Sequence, residues 1–464
     1  MADRLKVVVL DDDPTGSQTV HGCPLLLRWD AQALRQGLEH PSPLLIVLAN
    51  TRALDPAAAA QRVREICRAL KPALELALAA GVIDHWLIVS RGDSTLRGHF
   101  PLECEVISEE LGPFDATLLA PAFLPGGRTT VDGVHRLHGE PVHTTPFARD
   151  RLFGYSTSFL PDWVAEKSGG RIPAAAVQGI TLAELEGDGE RLCRRLAGLE
   201  GHLCVVVDAE RPQHLVALGA AVRELTAPSA AECWGRPRRF LFQSAASLLN
   251  GLVPLPPQPL DAAALAGLRR RDAAGVQRPG LVLVGSHVPL ADVQLEALLA
   301  DPRCAGVEIA VAPLARVLEG PLPDRLLASL EQAWLQQLRD GLAAGQTPVL
   351  FSSRGELTCR SASERRRFGL ALAALMARLA ATLAPQLGYL ISKGGITTHT
   401  LLADGLQLSA VQLQGQLMPG LSLVLTPAEA PVPGLPVITF PGNLGDADSL
   451  CQAWALMESA GSGR

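Results

Sequence analysis

Short apolar runs that stop at polar clusters recur along the first half of the chain. Lys6-Val-Val-Val-Leu10 stops at Asp11-Asp12-Asp13-Pro14-Thr15-Gly16, Leu44-Leu-Ile-Val-Leu48 at Asn50-Thr51-Arg52, and Trp86-Leu-Ile-Val89 at Ser90-Arg91-Gly92-Asp93. Ala116-Thr-Leu-Leu119 ends at Pro121, and Leu203-Cys-Val-Val-Val207 ends at Asp208. Runs of this length bounded by turn residues predict buried strands. Between them, the Ala-, Leu-, Arg- and Glu-rich stretches Asp55 to Leu78 and Leu182 to Leu199 predict helices. Alternation of the two predicts an α/β fold with a mainly parallel sheet covered on both faces, in which ligands sit outside the carboxyl ends of the strands. The polar clusters fall at those ends.

Leu252-Val-Pro-Leu-Pro-Pro-Gln-Pro-Leu260 interrupts the pattern with four prolines, which favour an extended spacer. It predicts two α/β domains, residues 1–251 and 261–464, joined by a Pro-rich linker at 252–260. After it the alternation resumes. Leu281-Val-Leu-Val284 ends at Gly285-Ser286-His287, Pro348-Val-Leu-Phe351 at Ser352-Ser353-Arg354, Tyr389-Leu-Ile391 at Ser392-Lys393-Gly394-Gly395, and Val437-Ile-Thr-Phe440 at Pro441-Gly442-Asn443-Leu444-Gly445. Helices are expected over Leu401 to Leu406 and Ala447 to Met457. No repeat of solenoid period is visible.

The 464 residues are enough for two such domains, and 48% hydrophobic against 19% charged residues excludes global disorder. A net charge of -6 supplies no footprint for nucleic acid or an anionic membrane, so any phosphate must be caught locally. Uninterrupted apolar stretches such as Leu118 to Leu124 are too short to span a bilayer, and the start of the chain is unlike a signal peptide, so a cytoplasmic protein is expected. Nine cysteines with no C-x-x-C pair argue against a disulfide framework and a thiolate zinc site.

Two chemistries are separated along the chain. The first half gathers Asp12, Asp13, Thr15 and Gly16 in one loop, Arg91, Asp93, Ser94, Thr95 and Arg97 in a second, and Arg128, Thr129, Thr130 and Asp132 in a third. Arginine suits a carboxylate, while Asp, Ser and Thr suit sugar hydroxyls, so the set reads as a pocket for a small polyhydroxy acid. The same residues also make good turns and caps. The second half offers Lys393-Gly394-Gly395-Ile396-Thr397-Thr398 and Pro441-Gly442-Asn443-Leu444-Gly445-Asp446, each after a strand and before a helix, where backbone N–H groups can seat phosphate. Neither a Walker-type loop nor a dinucleotide fingerprint is present. His135 and His138 at i, i+3 could meet on a helix face, but Gly133, Gly139 and Pro141 argue against a helix there, so these two and His143 are not expected to hold a metal; Arg365, Arg366 and Arg367 read as a solvated helix face.

Several segments resemble the four-carbon acid sugar kinase family over nearly the whole chain. In the first half these are Val9-Leu-Asp-Asp-Asp-Pro-Thr-Gly16, Arg91-Gly-Asp-Ser-Thr-Leu-Arg-Gly-His-Phe-Pro-Leu-Glu103, Gly126-Gly-Arg-Thr-Thr-Val-Asp-Gly-Val-His135 and Phe147-Ala-Arg-Asp150. In the second they are Val284-Gly-Ser286, Ser352-Ser-Arg-Gly-Glu356, Ser392-Lys-Gly-Gly-Ile-Thr397, Gly415-Gln-Leu-Met-Pro-Gly420 and Phe440-Pro-Gly-Asn-Leu-Gly445. The resemblance implies an ATP-dependent kinase acting on the terminal hydroxyl of a tetronate such as erythronate, threonate or 3-oxo-tetronate. It implies an acid-sugar site at Asp12, Thr15, Gly16, Arg91, Asp93, Ser94, Arg97 and Arg128, and a nucleotide site at Ser286, Gly394, Gly395, Ile396, Thr397 and Gly442. The loop chemistry adds Asp13 to the first set, and Lys393 and Asn443 to the second. Two departures stand out: Thr400 replaces a carboxylate common in the family, and His143-Thr-Thr-Pro-Phe147 lacks an expected glutamate.

Phosphoryl transfer asks for in-line positioning, charge stabilisation and a base, for which Asp12 or Asp13 is expected, with Arg91 or Arg97 on the carboxylate. Mg²⁺ would bridge phosphates with few protein ligands, so no metal site is assigned. Transfer would require closure about the linker, a hinge expectation. Partners are then ATP and a small acid, with no nucleic acid or membrane and room for a homodimer. The alternatives are a non-catalytic sensor that keeps both sites, and a metal-dependent aldolase or dehydratase on similar acids.

Overall fold

A computed structural model describes residues 3–16, 19–319, 323–354 and 362–459. Gly355 and Glu356, from one of the motifs above, and Cys359 lie outside these residues, as does the side chain of Arg366. The chain divides between Pro257 and Gln258 into two units. Leu252, at the start of the Pro-rich stretch, still closes the helix Ser247–Leu252.

The first unit contains strands β1 (Leu5–Asp11), β2 (Pro24–Leu26), β3 (Leu44–Leu48), β4 (His85–Arg91), β5 (Ala116–Ala120), β6 (Arg128–Val131), β7 (Val134–Leu137), β8 (Glu140–Pro141), β9 (Gln178–Ile180), β10 (Leu203–Val207) and β11 (Phe240–Ser244). Its main sheet runs β2-β3-β1-β4-β11-β5-β10-β9, and every neighbouring pair is parallel. The strands are apolar because both faces are covered: Val7, Val8, Ile46 and Ile88 are wholly buried. From β1 the chain first goes out to β2 and comes back in to β3 on one side, then places β4 on the other side of β1. That reversal makes a switch point, with a crevice at the carboxyl ends of β1 and β4.

Helix boundaries follow local chemistry. Pro56–Ala79 begins where the Asp55 side chain accepts from Ala58 N and Pro56 occupies the first turn. Its buried Ala59, Val63, Ile66, Leu70, Leu74 and Ala77 recur at helical spacing against the sheet. The single helix expected over Leu182 to Leu199 is instead two, Leu182–Glu186 and Gly189–Ala197. Thr181 and Glu184 form a capping box for the first, and Asp188 caps the second, so Gly187-Asp188 is a stop and a restart. Arg128, Thr129 and Thr130, expected in a loop, form β6 in a separate antiparallel sheet β6-β7-β8.

The second unit contains β12 (Gly280–Val284), β13 (Cys304–Ile309), β14 (Thr347–Ser352), β15 (Tyr389–Lys393), β16 (Ala410–Met418), β17 (Leu421–Leu425) and β18 (Pro436–Phe440). Within this unit the order is β13-β14-β12-β15-β18-β17-β16. The first five run parallel, and β17 and β16 add an antiparallel hairpin. The switch point here is between β12 and β15. The helix expected at Leu401 starts earlier, at Gly395–Thr400, and widens into a π-helical turn over Leu401–Gly405. The last helix is Ser449–Ser459 rather than Ala447 to Met457.

One helix, Ala362–Leu383, is long and apolar enough to cross a membrane by length and composition, with mean hydropathy 1.6 over Arg367–Gln386. A search for uninterrupted apolar runs passes over it because Arg378 lies within it. Its Leu372, Met376, Leu379 and Leu383 are buried inside the unit.

Candidate active site

The carboxyl ends of β1 and β4 carry a dense set of charges. Asp11 and Asp12 are 2% and 3% exposed, and Arg91, opposite Asp11 in the register, is 5% exposed. Burial would be prohibitive without pairing. Arg52, at the end of β3, supplies much of it: its Nε donates to Asp12 Oδ2 at 2.9 Å, its Nη2 to Asp12 Oδ1, and its Nη1 to Asp13 Oδ2 at 3.3 Å. Arg91 Nη1 reaches Asp11 and Asp12 only at 3.5 and 3.4 Å. Gly16 is required there, because a Cβ would run into the Asp11 carboxylate and the Arg91 guanidinium.

The two candidate bases differ. Asp13 Oδ1 accepts from Thr15 N at 2.8 Å and from the Thr15 hydroxyl, and Gly16 N donates to Asp13 O at 2.9 Å, so Asp13 and Thr15 build the turn. Its pKa is lowered: burial opposes this, but Arg52 and the Thr15 bonds outweigh it. Burial raises Asp12 above the ordinary carboxylate range in spite of Arg52 and Arg91. Asp11 is raised to about 7, and so is Glu103, in both cases mainly by burial.

The arginines are also unequal. Arg97 Nε donates to Asp93 Oδ2 at 2.7 Å, and its guanidinium lies over the Phe147 ring at 5.0 Å, with Asp150 Oδ2 3.9 Å from Nη1. Asp93 is held well below the carboxylate range: burial opposes this, but Arg52, Arg97 and the Thr95 bond prevail. Arg128 has no ion pair among the described residues. Its half-buried guanidinium stands over Phe123 at 5.7 Å, and burial lowers its pKa. Arg52 is thus saturated by carboxylates, whereas Arg97 and Arg128 keep part of their forks for a ligand anion.

The small sheet and a tyrosine fix the β4 loop. His135 Nε2 donates to the Ser94 carbonyl at 2.8 Å and Nδ1 accepts from the Thr130 hydroxyl at 2.9 Å, while burial lowers its pKa to about 4. This neutral histidine braces the loop after β4. The Tyr155 hydroxyl donates to the Thr95 carbonyl at 2.8 Å. Asp132, expected near the acid, is exposed, and its N–H donates to Asp208 Oδ2 at 2.9 Å.

In the second unit the strand ends are bare of bulk. Gly285 N donates to Lys393 O at 3.0 Å and Gly394 N to Phe440 O at 2.9 Å, which links the loops after β12, β15 and β18. Gly394 has φ +118, and a Cβ there would sit 3.2 Å from Ser286 N. At Gly442 a Cβ would meet Ser286 Oγ at 2.6 Å. Ser286, Gly394, Gly395, Ile396, Thr397, Gly442 and Asn443 therefore gather at one edge, with Ile396 and Asn443 exposed and Thr397 buried. Gly395 to Thr397 lie inside the first turn of the helix and not in a preceding loop.

Lys393 does not project from this edge. It is wholly buried, with Nζ donating to Pro441 O at 3.0 Å and lying 4.0 Å from the Phe440 ring centroid. Burial and the Arg354 charge bring its pKa down to about 7. Arg354, after β14, donates to Ser286 O at 2.6 Å, and its Nε and Nη2 have no hydrogen-bond partner among the described residues.

Two family models match in succession, a sugar-binding N-terminal domain over residues 7–252 and a nucleotide-binding C-terminal domain over residues 281–450. The chain belongs to the four-carbon acid sugar kinase family. Its relatives include a D-threonate kinase of Cupriavidus necator, 28% identical and covering 79% of this chain and 78% of the relative. A D-erythronate kinase of Heliobacterium modesticaldum is 25% identical, covering 96% and 95%. Among solved structures, a Salmonella typhimurium LT2 protein described as a tRNA synthase matches with TM-score 0.64 at 17% identity, covering 97% of this chain and 98% of that one. At that identity the likeness speaks to the fold alone.

Arg52, Arg354, His135 and Tyr155 stand among the candidate site groups although the sequence did not point to them as site residues, Arg354 and His135 being present only within longer motifs. Asn50-Thr51-Arg52 did end a strand as the other clusters do, which was the available signal for Arg52. The Thr400 departure closes the short helix after the glycines and is buried, and Pro146 opens a turn of 3₁₀ helix, Pro146–Arg149, that carries Phe147 to Arg97.

Proposed function

We propose that this protein is an ATP-dependent kinase that phosphorylates the terminal hydroxyl of a four-carbon acid sugar of the erythronate, threonate or 3-oxo-tetronate type, in the cytoplasm. The observation that carries the reading is a buried carboxylate of raised pKa, Asp12, at the β1–β4 crevice, together with two incompletely paired guanidiniums, Arg97 and Arg128, about the loop after β4. A base must accept the hydroxyl proton near neutral pH, which favours Asp12 over the depressed Asp13. Asp13, Thr15 and Gly16 then shape the turn that presents Asp12. Arg97 and Arg128 take the substrate carboxylate, with Arg91, Asp93 and Ser94 around the hydroxyls.

The bare strand ends of the second unit fit a triphosphate. Gly394 and Gly442 leave room that a Cβ would fill, Ser286, Thr397 and Asn443 offer donors, and Lys393 holds the two glycine loops together from below. Mg²⁺ would ride on the phosphates, which it usually does with few protein ligands. When bound it would neutralise phosphate charge.

The test is ATP consumption over a panel of C4 acid sugars, with product mass. A gain of one phosphoryl group on a tetronate is expected. No turnover on any C4 acid would reject the reading.

A further inference from the structure

A cavity beside Asp12 contains polar groups that the reading above does not use. It opens between the ends of β4, β5 and β11, and its lining includes Asp12, Asp93, Arg97, Glu103, Trp163 and Ser244 with the apolar Phe100 and Leu119. Trp163 is 2% exposed and Ser244 3%. Neither Trp163 Nε1 nor Ser244 Oγ has a hydrogen-bond partner among the described residues. Both residues line this cavity, and a buried donor left unpartnered is costly unless a ligand meets it. The Trp163 ring itself is fixed, stacked on Phe100 with centroids 4.8 Å apart and planes at 24°.

The chemistry of the lining narrows the ligand. Arg97 lines the same cavity and takes the substrate carboxylate, so the part beside Asp12 and Glu103, where a second anion would be repelled, is left to neutral groups. Glu103 is raised to about 7 by burial and then by the Asp12 charge, so near neutral pH its protonated form is well populated and can donate as a neutral group. Indole N–H donates only, a serine hydroxyl donates or accepts, and a protonated carboxyl does both. A neutral hydroxyl satisfies all three, and the apolar wall suits the C–H face of a short carbon chain.

We propose that this cavity reads the secondary hydroxyls of the acid sugar, with Trp163 and Ser244 as specificity-determining residues, while the carboxylate stays with Arg97 and Arg128. The inference rests on the kinase reading and says where that reading's substrate choice is made. Threonate and erythronate differ in configuration at one hydroxyl-bearing carbon, so a fixed donor can tell them apart, as sites built around a substrate hydroxyl do.

The test compares wild type, Trp163→Phe and Ser244→Ala on threonate, erythronate and their deoxy analogues. Trp163→Phe keeps the ring on Phe100 and removes the N–H; Ser244→Ala guards against a folding defect in the first variant. Expected is a fall of about tenfold in the kcat/KM ratio between the two acids in at least one variant, the size of one hydrogen bond, with KM for ATP unmoved. In that variant a deoxy acid missing the partner hydroxyl should cost nothing further. An unchanged ratio in both variants overturns the proposal and leaves the kinase reading standing. Indole ¹⁵N spectra separate the two failures. If the acids shift the signal that is missing from Trp163→Phe yet none is phosphorylated, the cavity assignment holds and the kinase reading falls. If they neither shift it nor react, both fall.

Discussion

The two units place their candidate groups at the same topological position and fill it by opposite means. At the switch point of the first unit, between β1 and β4, the chain concentrates charge: Asp11, Asp12, Asp13, Arg52 and Arg91 are packed so closely that most neutralise one another. At the switch point of the second, between β12 and β15, it removes side chains, and Lys393 at the end of β15 is turned inward onto Pro441 O. A charged site leaves open which groups remain free for a ligand until the pairs are known. A glycine site is defined by steric exclusion, since a Cβ at Gly394 or Gly442 meets Ser286.

That contrast predicts different failures. The largest effect is expected from Asp12→Asn, with kcat reduced about 1,000-fold in a coupled ATPase-type assay, the scale of a lost general base. Because its pKa lies above the ordinary carboxylate range, wild-type kcat/KM should rise with pH through that raised value, and the variant should lose this limb. An Asn variant with wild-type kcat would remove Asp12 from the role. Next comes Gly394→Ala, which forces a side chain into φ +118 against Ser286 N. It should lower kcat/KM for ATP by about 100-fold while calorimetric binding of the acid is kept, so weakened acid binding would contradict the separation of the two sites. Asp13→Asn should cost kcat about tenfold at most, since the amide oxygen can still accept from Thr15 N. A loss matching that of Asp12→Asn would make the two aspartates one unit.

Much of the architecture was legible because parallel strands buried on both faces must be continuous apolar runs, as Leu44–Leu48 and Leu203–Val207 are. Strands of other kinds were missed. Ala410–Met418 alternates, burying Val411, Leu413 and Leu417, and β11 is short and interrupted by Gln243. Of the site, residue types at strand ends were legible but their pairing was not. Nothing local to Arg52 says that it locks Asp12 from a strand away, and nothing in Arg128 says that it is left unpaired on a separate sheet. The unpartnered Trp163 Nε1 depends on packing between elements remote in sequence, which no motif encodes.

The smallest predicted effect concerns stability and isolates the cost of charge in the first unit. Glu103 is raised from 4.5 to about 7, chiefly by burial. Between those values the folded state holds a proton that the unfolded chain releases. This contribution to stability is therefore present in full below the unfolded pKa and is lost as pH rises through about 7. Glutamine mimics the protonated form at every pH. Glu103→Gln should melt with the wild type at pH 5 and a few degrees above it at pH 8. A gap that is equal at both values would mean that the carboxyl ionises freely in the folded protein, and the charge cluster around Asp12 would then be better solvated than its burial implies.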